Sequence, residues 1–126
     1  MRDIYANIAA VPALAPAVQA SAAQGTAIDL NGAGGVAFVV NTGAVAGSGD
    51  FGLTLQESDS GTSGWTVVAP AQIDSNAPAT LAADATYRLG YRGWKRYVRL
   101  SVTKAGGTSI IAGAAAVFVP LTRPAA

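Results

Sequence analysis

The chain has 126 residues, enough for one hydrophobic core and too few for two. Charged residues are 12% of it, about half the usual share, and the net charge is +1; so little charge suggests that partners cover part of the surface. It contains neither cysteine nor histidine, which excludes disulfides, thiolate metal sites and Cys nucleophiles and removes the commonest metal ligand and general base. A non-enzymatic protein without cofactor or metal is expected.

Residues 1–24 are rich in Ala and Pro, hold no sustained period, and read as an extended N-terminal arm. Its larger side chains, Ile4, Tyr5, Ile8, Val11, Leu14 and Val18, need a surface to pack on, either their own domain or a neighbouring subunit. Arg2, the apolar run from Ile8 to Val18 and the small residues Ala20-Ser21-Ala22 have the outline of a signal peptide. Asp3 and the helix-breaking Pro12 and Pro16 argue against that reading. No apolar run approaches the ~20 residues that a membrane-spanning helix needs.

Residues 25–126 read as a single all-β domain, an antiparallel β-sandwich or jelly-roll-like fold of about seven to eight strands. The strands expected are Thr26–Leu30, Gly35–Asn41, Phe51–Glu57, Trp65–Ala69, Thr86–Tyr91, Arg96–Thr103 and Ser109–Val119. Two alternate clearly: Phe51, Leu53 and Leu55 oppose Gly52, Thr54 and Gln56, and Val98, Leu100 and Val102 oppose Tyr97, Arg99, Ser101 and Thr103. Gly32-Ala33-Gly34-Gly35 reads as a turn, residues 41–50 as a long protruding loop, Ser58–Gly64 as a flexible polar loop, and Lys104–Thr108 as a compact hairpin connection. The run Ile110–Val119 has no polar side chain on either face, as in a strand that is central or lies at a subunit contact. Leu121–Ala126 is a short tail.

The seven acidic residues are scattered singly, and only Glu57 and Asp59 stand close, at the entry to a Ser/Gly loop. That pair offers oxygen atoms for a calcium ion but lacks EF-hand spacing, and turn formation accounts for the Asp. No serine elbow, phosphate-binding loop or metalloprotease helix is present. Tyr87–Arg99 is the one concentrated feature, with five of the eight basic residues and four of the six Tyr and Trp residues. Read as two strands around a tight turn, it could stack bases and contact phosphates, but a net charge of +1 argues against nucleic acid. Arg and aromatic residues are also the types enriched at protein interfaces. The interface candidates are therefore Arg88, Tyr91, Arg92, Trp94, Lys95, Arg96 and Arg99, with Ile4, Tyr5, Ile8 and Leu14 of the arm.

Met1–Ile8, Leu14–Ala17, Leu55–Gly61 and above all Tyr87–Arg99 resemble a family of short head-associated proteins encoded near the capsid genes of tailed phages and prophages. The family pattern often ends in a His-containing segment, which Phe118–Pro124 lacks. The resemblance implies a virion structural protein, favouring a capsid decoration (cement) protein made in the host cytoplasm and bound to the capsid exterior. Its partners would be the major capsid protein and further copies of itself, in a symmetric oligomer such as a trimer. The alternatives are a tail, neck or head-fibre base component and a carbohydrate-binding module, for which Trp65, Tyr91, Trp94 and Tyr97 would be the stacking residues.

Overall fold

A computed structural model describes residues 7–31 and 33–120. It contains β1 (Ala9–Gln19), β2 (Ala23–Gln24), β3 (Ile28–Asp29), β4 (Ala33–Ala46), β5 (Asp50–Ser58), β6 (Thr66–Val67), β7 (Ile73–Ser75), β8 (Thr86–Tyr91), β9 (Tyr97–Gly106) and β10 (Ser109–Pro120). The two alternating segments, β5 and β9, pair antiparallel with Leu53 opposite Val102 and Leu55 opposite Leu100, so their apolar faces coincide.

The pairing order runs inward along the chain: β1 with β10, β2 and β3 with β9, β4 with β8, β5 with β6. This is one long antiparallel hairpin rolled on itself. Closure between β10 and β4 and between β9 and β5 gives sheet A, in the order β1-β10-β4-β8-β7, and sheet B, in the order β2-β9-β5-β6 with β3 also on β9. Both sheets are antiparallel and the topology is that of a jelly roll. The core lies between them, with Phe38, Val40, Leu89, Ile110 and Ala116 from sheet A against Phe51, Leu55, Val98, Leu100 and Val102 from sheet B.

Four features depart from the sequence reading. Residues 9–19 of the expected arm are an edge strand of the sandwich, and Ala13 and Leu14 are buried in its core. Its prolines suit an edge, where one side of the backbone needs no ladder partner. Two register shifts, at Pro12/Leu14 and Leu14/Ala17, break the alternation that would have marked it as a strand. Secondly, β4 begins at Ala33, inside the expected glycine turn, and continues to Ala46. The expected loop of residues 41–50 shrinks to the Gly47-Ser48-Gly49 corner. Thirdly, Tyr87–Arg99 is not a hairpin: β8 belongs to sheet A and β9 to sheet B, so residues 92–96 cross between the sheets. The turn after Lys104 makes the same kind of crossing from β9 to β10. Rolling sends these successive strands to opposite sheets, a choice that turn residues do not encode.

Finally, the Ser58–Gly64 loop is built around a buried hydroxyl. Ser58 Oγ donates to Ser63 O at 2.6 Å and accepts from the backbone N–H groups of Ser60 and Gly61 at 3.2 and 3.1 Å.

The corners β4–β5 and β9–β10 lie against each other at one end. Gly107 there has φ +77°, and a Cβ on it would fall 2.4 Å from Gly49 Cα and from Ser48 O. Neighbouring Gly106 has open space where its Cβ would be. Gly107→Ala is therefore expected to destabilise the fold by about 1–3 kcal/mol or more and Gly106→Ala to be near neutral, as read by urea denaturation.

Candidate functional site

The crossing from β8 to β9 gathers side chains from three other elements. Arg92 Nε lies 3.0 Å from Asp74 Oδ2 of β7, and its Nη2 donates to Ala71 O at 2.9 Å. Lys95 Nζ donates to Asp59 Oδ2 of the β5–β6 loop at 2.9 Å. Arg96 forms a fork with Asp29 of β3, Nε to Oδ1 and Nη2 to Oδ2, each 2.9 Å. Backbone bonds from Arg92 N to Gln72 O (2.7 Å) and from Leu30 N to Arg96 O (2.8 Å) fasten both ends. Each ion pair is solvent-exposed and contributes little by itself; acting together they leave the connection few alternative shapes.

Beneath it a hydrogen bond joins the sheets. Tyr91 faces inward from sheet A, 7% exposed, and its hydroxyl donates to Glu57 Oε1 of sheet B at 2.6 Å while accepting from Lys95 N at 3.1 Å. Burial, then the bond to the Glu57 carboxylate, push the phenol up to about 12. The Arg96 guanidinium and the Asn31 backbone N–H hold the Asp29 carboxyl at about 2. Hydrogen bonding to Asp59 raises Lys95. The Asp29 carboxylate likewise raises Arg96.

Trp94, at the tip of the crossing, is 79% exposed. It borders an open depression of about 760 Å³ that Asn31, Asp74, Arg92 and the glycines Gly35 and Gly90 also line. The other aromatics have different surroundings: Trp65 is covered by the Arg99 guanidinium at 4.3 Å, and Tyr97 by that of Arg96 at 5.1 Å. Arg99 Nε also donates to Gln56 Oε1 at 2.7 Å.

A second feature is the outer face of sheet A. Ile110, Ala112 and Ala116 of β10 point into the core, so Ile111, Gly113, Ala115, Val117 and Val119 point out. Val18 of β1 stands opposite Ile111, and Ala37 and Val39 of β4 opposite Val117 and Ala115. No charged side chain occurs in β1, β10 or β4; the first on this face are Arg88 of β8 and Asp74 of β7. Three of the five exposed large apolar residues among those described, Val18, Ile111 and Val119, lie here. Sheet B turns Thr54, Gln56, Arg99 and Thr103 outward instead.

The crossing thus brings Arg92, Trp94, Lys95 and Arg96 together, with Arg88 exposed nearby on β8 and Tyr91 buried beneath. Ile8 is half-buried before β1, Leu14 lies in the core, and Ile4 and Tyr5 lie outside the described residues. The acidic partners Asp29, Glu57, Asp59 and Asp74 were not singled out as a group in the sequence, because they come from separate elements and share no spacing. No protein-family model matches the chain, and no curated protein matches it in sequence.

Two pH dependences follow from these contacts. Asp29 is depressed from its ordinary 3.8, so its contribution is complete above about pH 4 and lost as pH falls through about 2; its carboxyl ¹³C shift should titrate near 2 and move towards 3.8 in Arg96→Gln. Tyr91 is raised from 10.0, so its contribution is complete below pH 10 and lost as pH rises through about 12. Tyr91→Phe should destabilise the fold by about 1 kcal/mol at neutral pH and flatten the fall in stability above pH 10, measured by urea denaturation across pH.

Proposed function

We propose that this chain is a non-enzymatic virion structural protein, a capsid decoration (cement) protein that binds the outside of a phage head shell through the outer face of sheet A. The observation that carries this reading is the contrast between the two outer faces, one uncharged across three strands and the other polar. A sheet face left to water normally alternates to polar residues, and this one does not.

Its size supports the same reading. The β10–β4 ladder has eleven paired positions. With ~3.3 Å per residue and ~4.8 Å between strands, a face three strands wide covers on the order of 500 Å². That lies in the upper part of the roughly 300–600 Å² of the largest apolar patch on a typical monomer, a size that is often functional, and is more than half of the ~800 Å² each partner gives to a standard interface. Small outward residues, Gly and Ala among Val and Ile, make a smooth surface on which another subunit can lie closely. Resemblance of the Tyr87–Arg99 segment to head-associated phage proteins supplies the kind of partner, a major capsid protein. Many copies on one shell would add individually modest contacts through avidity and hold capsid subunits together.

Ile111→Glu and Val18→Glu place charge at exposed positions of this face, where folding should survive. Each is expected to abolish co-sedimentation with purified heads stripped of the protein, whereas Thr103→Glu on the opposite face should bind as wild type. Heads reconstituted with Ile111→Glu should lose the added resistance to heat. Wild-type binding by folded Ile111→Glu and Val18→Glu would overturn the reading.

A further inference from the structure

The geometry points to a second binding site, at the end of the outer face of sheet A that β4, β8 and β7 form beside the crossing: the depression beside Trp94 binds a neutral saccharide, with a sugar ring stacked on the indole. Three properties of the depression lead there.

The first is the indole itself. A tryptophan 79% exposed offers a broad apolar plane, carried on a backbone that three ion pairs fasten. Binding on it loses little conformational entropy, because the backbone on both sides is already held. The apolar face of a pyranose ring, with its C–H bonds towards the electron-rich indole, matches such a plane.

The second is the charge balance. Arg92, Lys95 and Arg96 each already have a carboxylate partner, so the crossing carries no uncompensated field to draw a phosphate or a nucleic acid backbone. The Asp74–Arg92 pair and Asn31 nevertheless present planar acceptors and donors to the cavity. Adjacent sugar hydroxyls, each both donor and acceptor, suit that mixture better than an anion does.

The third is shape. At about 760 Å³ the depression falls within the range of small-molecule sites, and it is open to solvent. Gly35 and Gly90 are among its lining residues and, having no side chain, allow a ligand to approach the backbone. An open site of this kind accepts the side or end of a longer glycan chain.

The test uses the whole chain on an array of neutral, sialylated, sulfated and phosphorylated oligosaccharides. The best neutral oligosaccharide is then titrated by tryptophan fluorescence and by amide chemical shifts. Expected are binding to neutral glycans, a blue-shifted Trp94 emission, and shifts at Asn31, Gly90 and Arg92. Trp94→Ala, at an exposed side chain, should fold normally and weaken binding by about tenfold or more, with Trp94→Phe between the two. No binding to any saccharide, binding confined to anionic glycans, or unchanged affinity in Trp94→Ala would each overturn the proposal. So would a Trp94→Ala protein that keeps sugar binding and loses the head shell, which would make Trp94 a protein contact. Ile111→Glu should leave sugar binding intact, so failure of the sheet A reading is seen separately from failure of this one.

Discussion

Two sheets lie face to face because each buries one side, and that burial determines what every strand has left to offer outside. In sheet B the remainder is polar, as alternation in β5 and β9 requires. In sheet A, β10 and its neighbours β1 and β4 carry no charged side chain and few polar ones on either side, and sheet B can cover only one of those sides. The surplus cannot be removed by repacking within the domain: a one-residue slip would exchange the two sides of a strand and leave the same amount exposed. The domain therefore carries an outward apolar surface as a property of its sheet order, whatever partner meets it.

The crossing at residues 92–96 answers a different requirement. A rolled hairpin must pass from one sheet to the other at each corner, and there the backbone loses its ladder partners. Here side chains from β3, β7 and the β5–β6 loop, with the backbone of Leu30, Ala71 and Gln72 beside those strands, replace the ladder, and Tyr91 and Glu57 close the sandwich below. The cations that looked like free anchors are mostly engaged in holding the corner. What the corner presents outward is the indole of Trp94. A patch of free cations, the natural inference from a cluster of Arg and Lys, gives way to paired charges beside an exposed apolar ring.

Most of the sandwich was legible in the sequence where one physical signal acted alone. β8 appears with the bounds expected for it, and β5 and β9 follow their period-two pattern. β1 was hidden because its bulges bring Ala13 and Leu14 inward together and its prolines resemble those of a linker. The corner at 92–96 was hidden for another reason: its glycine and charges specify a turn but not the sheet its second strand joins. Of the candidate site, Trp94 and the cations could be named in advance, whereas Asp29, Asp59 and Asp74 became partners only once the roll brought β3, the β5–β6 loop and β7 to one end. Long-range pairing of this kind leaves no trace in local spacing.

The prolines of β1 have one more consequence. A sheet with free edges can add strands from another molecule without limit, and this chain is rich in small apolar residues and poor in the charges that oppose such growth. Both free edges of sheet A are blunted, one by Pro12 and Pro16 in β1, the other by the brevity of β7, three residues with Asp74 in the middle. Fibrillar stacking through main-chain ladders is thereby discouraged, while side-by-side contact between faces stays open. Crowded copies of this domain are thus directed towards contacts set by shape and away from amyloid-like polymerisation.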